Sequence, residues 1–329
     1  MTDLATLQPA AAQPVAPVAA PLHDHYRILP RHVRFDFSHT PIQWVPGDPA
    51  STHVMNTLNL MFPAGELWFC RVYNKVLPHI TDVKLRDDAE GFLRQEALHS
   101  RSHGGVLKHY YQRHGIDTAP FTRVLDWSLA KLLGDRPWGL PWGGQSRFWL
   151  RQQLGIIAAL EHFFGYLGNW VLNAPALDNA GTDPAMLDLL RWHGAEEVEH
   201  RSVAYDIYRH LGGGYLGRCF HMACVIPMLL VTTALGARFM YRHDPDAGKP
   251  LGLFRTWSQG ARNGRLPSLW GTVKSALRFF APGYSPGHEG STEQALAYLA
   301  RSPAAQAAAH GGNWVAAAGP VRTEALAAA

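Results

Sequence analysis

Apolar positions recur every three or four residues along most of this chain, and alternating β-branched runs are scarce. The pattern predicts helices, with breaks where helices should stop. Pro63-Ala64-Gly65 reads as the break before a first helix from Glu66 to Leu77, which Pro78 closes. Thr81 and Asp82 offer caps for a second helix running to about His114 and stopping at Gly115. Residues 116–145 form a long connection with one apolar helical piece, Phe121–Leu133, and a turn rich in Pro, Gly and Trp. A third helix fits Gln145–Leu172. A fourth opens at Thr182-Asp183-Pro184, with Asp as cap and Pro at the first helical position, and closes at Gly212-Gly213-Gly214. The fold class is all-α. The long link between helices two and three suits a ferritin-like four-helix bundle with one crossover, followed by additional C-terminal helices.

The remainder of the chain divides by composition. Residues 1–22 are Ala/Pro-rich and nearly uncharged, without the basic start and apolar run of a signal peptide, and read as a disordered tail. Residues 301–329 read as a second, Ala-rich tail. Between them, 23–300 forms one helical domain with a bundle core at about 62–212 and an apolar annex at 215–300. Within the annex, His221–Ala237 runs 17 residues without Asp, Glu, Lys or Arg, and it carries Pro227 between the flanking Arg218 and Arg238. Two readings stay open for it: a buried helix covering the bundle, or a segment that meets a membrane surface.

Charge narrows the function classes. Thirty Lys and Arg stand against 26 Asp and Glu, a formal +4, yet no basic block or basic-aromatic stripe occurs, so nucleic-acid binding is not expected. Three scattered cysteines make neither a disulfide framework nor a zinc ribbon, which points to the reducing cytoplasm. Eighteen histidines in a chain with 17% charged residues are the surplus that asks for an explanation.

Part of that surplus lies on inward faces. Two Glu-x-x-His pairs, Glu96/His99 and Glu197/His200, each place a carboxylate and an imidazole on one side of a helix. On the second helix the stripe reads Phe92, Glu96, His99, His103, Val106. On the fourth it reads Met186, Leu190, His193, Glu197, His200, Ala204, Ile207, Leu211. Glu66 is the only acid of the first helix and Glu161 of the third, each again within an apolar stripe. A carboxylate is costly to bury unless it is paired or bound to metal. Four helices that each carry an inward acid therefore predict a dinuclear site with Glu66, Glu96, His99, Glu161, Glu197 and His200 as ligands. His103 and His193, one turn from the ligands, are candidate catalytic proton carriers or extra ligands. Glu196 is a fallback ligand, Glu199 a surface or outer acid, and His162 points away from the site. Cys70 and Tyr73 lie near Glu66, where core packing is the simpler reading.

Three segments carry a family resemblance: VRFDFSHTPIQWVPGDPASTHVMNTLNLMFPAGELWF, FLRQEALHSRSH and WHGAEEVEHRSVAYDIY, spanning about residues 33–208. The chain resembles a bacterial family of predicted metal-dependent hydrolases, whose motifs cover Glu66, Glu96, His99, His103, His193, Glu197 and His200. The bundle pattern also resembles ferritin-like di-iron oxidases. The first resemblance implies hydrolysis and the second implies oxygen chemistry.

Mixed carboxylate and imidazole donors suit two ions of iron, with manganese or zinc as alternatives. The expected function is oxidation of a small-molecule or lipidic substrate with dioxygen, because phenylalanines frame the site. A metal-dependent hydrolase acting on an ester, amide or phosphate is the first alternative, and a non-catalytic metal-binding bundle is the second. A homo-oligomer is compatible with this composition.

Overall fold

Asp48 starts the first long helix. Its side chain accepts a hydrogen bond from the Ser51 amide at 2.9 Å, Pro49 holds the first position, and α1 runs from Pro49 to Val76. The computed structural model describes residues 27–140, 146–249 and 252–310. Among these, α1 corrects the expected start at Glu66, because it passes through Pro63 without ending. Proline inside a helix removes one backbone donor and crowds the preceding turn. Here the residues before it are tied down independently. Trp44 Nε1 donates to Asn56 Oδ1 at 2.8 Å, His53 Nε2 meets Asp244 Oδ2 at 2.9 Å, and Ser100 Oγ donates to the Pro63 carbonyl at 2.9 Å.

Asp82 caps α2 (Val83–Gly105) as expected, accepting from the Leu85 amide at 2.8 Å. A π-helical turn, Val106–Tyr111, prolongs it, and Gly115 stops the chain with φ +72°, a left-handed conformation suited to glycine. The connection to the next core helix holds α3 (Ala119–Leu133), which covers α1. There the Trp68 indole and the Gln153 amide both donate to the Leu133 carbonyl. Ser146 caps α4 (Arg147–Leu172), and the short α5 (Pro175–Asn179) turns the chain. Asp183 caps α6 (Pro184–His200), again with Pro at the first position.

The fourth expected helix is split. After α6 the chain breaks at Arg201 and Ser202 before α7 (Val203–His210). Arg201 is buried and donates to the Pro286 carbonyl at 3.2 Å and to Thr292 Oγ1 at 2.9 Å, which ties the break to the C-terminal segment. The α1–α2 and α4–α6/α7 pairs form the core, meeting where α1 contacts α4 and where α2 contacts α6 and α7. Gly168 on α4 sets the closest approach: a Cβ there would collide with the Gly194 carbonyl of α6. That contact fixes the distance between Glu161 and the Glu197/His200 pair, one to two turns away.

The C-terminal helices wrap this core. α8 (Tyr215–His243) lies on α1 and α4, α9 (Leu253–Arg262) on α1, and α10 (Leu269–Phe280) on α4 and α8. The buried-helix reading of 221–237 holds for one face of α8 only. Met222, Val225 and Ala237 are buried, whereas Leu230, Val231 and Leu235 face outward. α8 is long and apolar enough to cross a membrane by length and composition, with 22% of its most apolar window buried. α11 (Thr292–Leu299) and α12 (Pro303–Ala309) pack on α6. The expectation of a disordered tail from 301 is corrected for α12. Asp188 on α6 accepts from Tyr298 Oη at 2.7 Å and from the Ala304 amide at 3.0 Å, and Ser302 caps the helix. Residues 1–22 and 311–329, also expected as tails, lie outside the described residues.

Candidate metal centre

Where two apolar clusters of the core meet, seven buried donors converge: Glu66 from α1, Glu96 and His99 from α2, Glu161 from α4, and His193, Glu197 and His200 from α6. They fall into two groups. Glu66, His99 and His193 each offer one atom within 4.8 Å of the others, and so do Glu96, Glu161, Glu197 and His200. His193 Nε2 lies 3.6 Å from Glu66 Oε1 and 2.6 Å from Glu197 Oε1. His200 Nε2 lies 3.2–3.3 Å from oxygens of Glu96, Glu161 and Glu197. Glu197 therefore touches both groups.

The outer nitrogen of each imidazole decides what its inner nitrogen can do. His99 Nε2 is 2.8 Å from Glu196 Oε2, so it donates there and leaves Nδ1 facing Glu96 and Glu197 at 3.5 and 3.7 Å. His200 Nδ1 donates to Gln95 Oε1 at 2.9 Å. The Gln95 amide is oriented by its own donations to Glu199 at 2.8 Å and to the Leu29 carbonyl at 3.1 Å. His103 Nδ1 donates to Asn59 Oδ1 at 2.8 Å, which makes its Nε2 the acceptor for His193 Nδ1–H at 2.6 Å. In all three cases the lone pair is turned inward, the arrangement by which outer partners orient metal-binding histidines.

The carboxylates show the complementary feature. Both oxygens of Glu66, Glu96 and Glu161, and Nδ1 of His99, are buried without a hydrogen bond of good geometry among the described residues. Buried polar atoms almost always have a partner, and six bare carboxylate oxygens in one spot fit a cation between them. Carboxylate and imidazole donors in this arrangement could hold a metal ion.

In the absence of an ion, protons take its place. Burial, reinforced by the Glu96, Glu197 and Glu161 charges, pushes Glu66 far above the usual carboxylate range. Burial and Glu197 push Glu96 up to about 8. Glu161 is raised by burial and Glu197. Burial alone would raise Glu197 and lower His200. Their mutual attraction, with hydrogen bonds from His193 and His200, outweighs it, so Glu197 is held well below its ordinary value and His200 well above. Burial and the neighbouring imidazoles hold His103 and His193 below theirs.

All six ligands expected from the stripes are thus brought together, and His193 joins them at the cluster itself. His103 stands behind His193 rather than facing the centre. Glu196 is an outer partner of His99, and its other oxygen accepts from Arg31 at 2.8 Å. Glu199, expected at the surface or in an outer position, is buried and accepts from Arg31 at 2.9 Å. His162 does point away, meeting Tyr284 Oη and Ser275 at 2.9 Å. Tyr73 stacks on Phe92 with centroids 4.2 Å apart, and Cys70 turns towards the Leu93 carbonyl. Arg31, Asn59 and Gln95 were not foreseen. Gln95 stands immediately before Glu96, the position Glu196 holds before Glu197, and that parallel is the signal that could have found it.

The model of a protein family described as "Predicted metal-dependent hydrolase" matches residues 29–290. The chain belongs to this family. The matched span holds every inward donor, their outer partners and α8 to α10, so the metal-dependent hydrolase family match and the buried Glu/His cluster together support a metal-dependent enzyme. No curated protein and no solved structure matches the chain.

Proposed function

We propose that this chain is a di-iron carboxylate enzyme that uses dioxygen to oxidise an apolar substrate. The observation that carries the reading is the wall of the cluster. A narrow space of about 50 Å³ reaches His193 and Glu197, and its other sides are Met55, Leu58, Phe62, Phe164 and further apolar neighbours. Hydrolysis calls for polar groups that hold an electrophile and a free acid for the leaving group. The only ionisable side chains on this wall already belong to the cluster. An apolar, water-poor wall instead suits chemistry that must contain reactive species.

Two ferrous ions held by the seven donors would supply electrons to dioxygen, and an external two-electron reductant with two protons would complete each oxygen insertion. The chain's own contribution is positional. Gln95, Glu196 and His103 orient the imidazoles. Phe62 packs on His193 and His103 with centroids 4.5 and 4.8 Å away, and Phe92 on His200 at 4.5 Å, excluding water. The His193–His103 pair holds a proton at His193 Nδ1, and Asn59 Oδ1, by accepting from His103 Nδ1, keeps His103 Nε2 free to receive it.

The family's description favours a second reading, hydrolysis of an ester, amide or phosphate at the same cluster. Anaerobic loading with ferrous iron followed by exposure to oxygen separates the two. Oxygen uptake with a change in the optical spectrum, both lost in Glu96→Ala, is the expected result. Turnover of a p-nitrophenyl ester by zinc- or manganese-loaded protein, with no oxygen uptake by the ferrous form, would overturn the oxidase reading.

A further inference from the structure

The wall of the cluster continues outward. Met55, Leu58, Phe164, Leu167 and Trp170 line both the narrow space at His193 and a larger cavity of about 360 Å³ beneath α8, α9 and α10. Three residues that line this cavity also form its mouth: Leu230 on α8, Phe254 on α9 and Val273 on α10 are 56%, 73% and 47% exposed. Beside the mouth, Val231, Leu235, Trp270 and Leu277 are exposed as well. An apolar face of this kind is a contact surface rather than chance exposure.

Its charge says what it contacts. Residues 215–288 carry nine Lys and Arg against two Asp, and α8, α9 and α10 contain no acid at all. Arg218 is buried and Arg265 and Arg278 pair with Asp48 and Glu289, which leaves Arg238, Arg242, Lys249, Arg255, Arg262 and Lys274. Arg255 is exposed next to Phe254, and the Lys274 ammonium sits 5.3 Å over the Trp270 ring. A second copy related by a two-fold axis would set these cations against their own equivalents. An anionic headgroup layer would neutralise them while the aromatic and aliphatic tips enter the acyl region, the pattern of proteins that lie in a membrane interface. α8 lies along this surface rather than across it, because its other face is held by α1 and α4, with Arg218 and His221 buried there.

We infer that the α8–α9–α10 face docks on an anionic lipid bilayer and that a lipid acyl chain enters through Leu230, Phe254 and Val273 towards the metal cluster. The docking half stands on the surface alone. The acyl-chain half rests on the oxidase reading above, and names its substrate class.

Sedimentation of the full-length, metal-loaded protein with vesicles tests the docking. The expected result is pelleting with phosphatidylcholine vesicles containing phosphatidylglycerol, and little with phosphatidylcholine alone. Arg255→Glu/Lys274→Glu should lower the partition at least about tenfold, since each basic side chain near such a surface matters by roughly that factor or somewhat less. Phe254→Ser/Val273→Ser should lower it comparably, with metal content and thermal midpoint unchanged in both variants. Protein that stays in the supernatant with either vesicle, or variants that pellet like the wild type, would overturn the inference. So would a stable dimer that Phe254→Ser/Val273→Ser dissociates. Oleic acid should raise the thermal midpoint of the wild type and not of Leu229→Trp, which fills the cavity. Absence of that shift in the wild type removes the acyl-chain half, whereas absent oxygen uptake with intact vesicle binding and oleate shift removes only the oxidase reading.

Discussion

Glu96/His99 on α2 and Glu197/His200 on α6 face each other across the cluster, and each helix uses the residue before its glutamate to hold the other's histidine. Glu196 accepts from His99, and Gln95 accepts from His200. The braces are alike in geometry and unlike in charge. Glu196 is a carboxylate balanced by the Arg31 guanidinium at 2.8 Å, whereas Gln95 is a neutral amide whose own NH2 is held by Glu199 and the Leu29 carbonyl. A carboxylate behind an imidazole raises its basicity more than an amide does. The His99 group also has His193 as a second imidazole, while the His200 group has three carboxylates around one imidazole. The difference teaches that the two positions are chemically distinct: one is rich in nitrogen donors and braced by a carboxylate, and the other is rich in oxygen and braced by an amide.

Removing the braces one at a time should break that comparison in two places. Glu196→Leu leaves His99 without its acceptor and Arg31 with Glu199 as its one carboxylate among the described residues. Affinity at the nitrogen-rich position should fall about a hundredfold, the upper end of what outer partners contribute. Gln95→Leu should weaken the other position nearer to about tenfold. Stepwise titration against a chelator checks both. If the two variants weaken the same binding step equally, the asymmetry is wrong.

A smaller effect follows from the protons that replace the ions. Glu66, Glu96 and Glu161 all have folded values raised above the ordinary 4.5, Glu96 to about 8. Groups raised in the folded state bind more protons there than in the unfolded chain. The contribution of Glu96 is therefore complete below about pH 4.5 and is lost as pH rises through about 8, and Glu66 and Glu161 act in the same direction. The lowered His103 and His193 oppose this until they are neutral in both states, so metal-free protein should lose thermal stability by a few degrees between about pH 6.5 and 8. Metal-loaded protein should not, because binding displaces those protons and tightens as pH rises. Thermal midpoints of both forms across this window test the sign.

Much of this architecture was legible because buried acids stand out on apolar helical stripes. Glu66, Glu96, Glu161 and Glu197 needed only the periodicity of their own helices. The first half of α1 was not legible for the opposite reason. His53, Asn56 and Asn59 are buried polar residues held by partners distant in sequence, such as Asp244, so the segment lacks an apolar stripe, and Pro63 then reads as a boundary. Missing that half of the helix meant missing Asn59, one of the groups that fix the His103 tautomer. Arg31 was illegible because it reaches Glu196 and Glu199 from a segment without regular structure, 165 and 168 residues away in the chain. The split between α6 and α7 depends likewise on Arg201 finding Pro286 and Thr292, which no local pattern announces.

The asymmetry of the two positions and the chemistry proposed for them require the seven donors to form a cation site around Glu197. Elemental analysis of the full chain after loading and desalting tests this most directly, with Glu197→Ala alongside the wild type and circular dichroism confirming that both are folded. The account predicts about two ions per wild-type chain, as a bundle with one carboxylate from each of two helices and a Glu-x-x-His pair from each of the others would hold, and almost none in Glu197→Ala. A folded wild-type protein that retains no ion, or a variant that retains as many as the wild type, would contradict it.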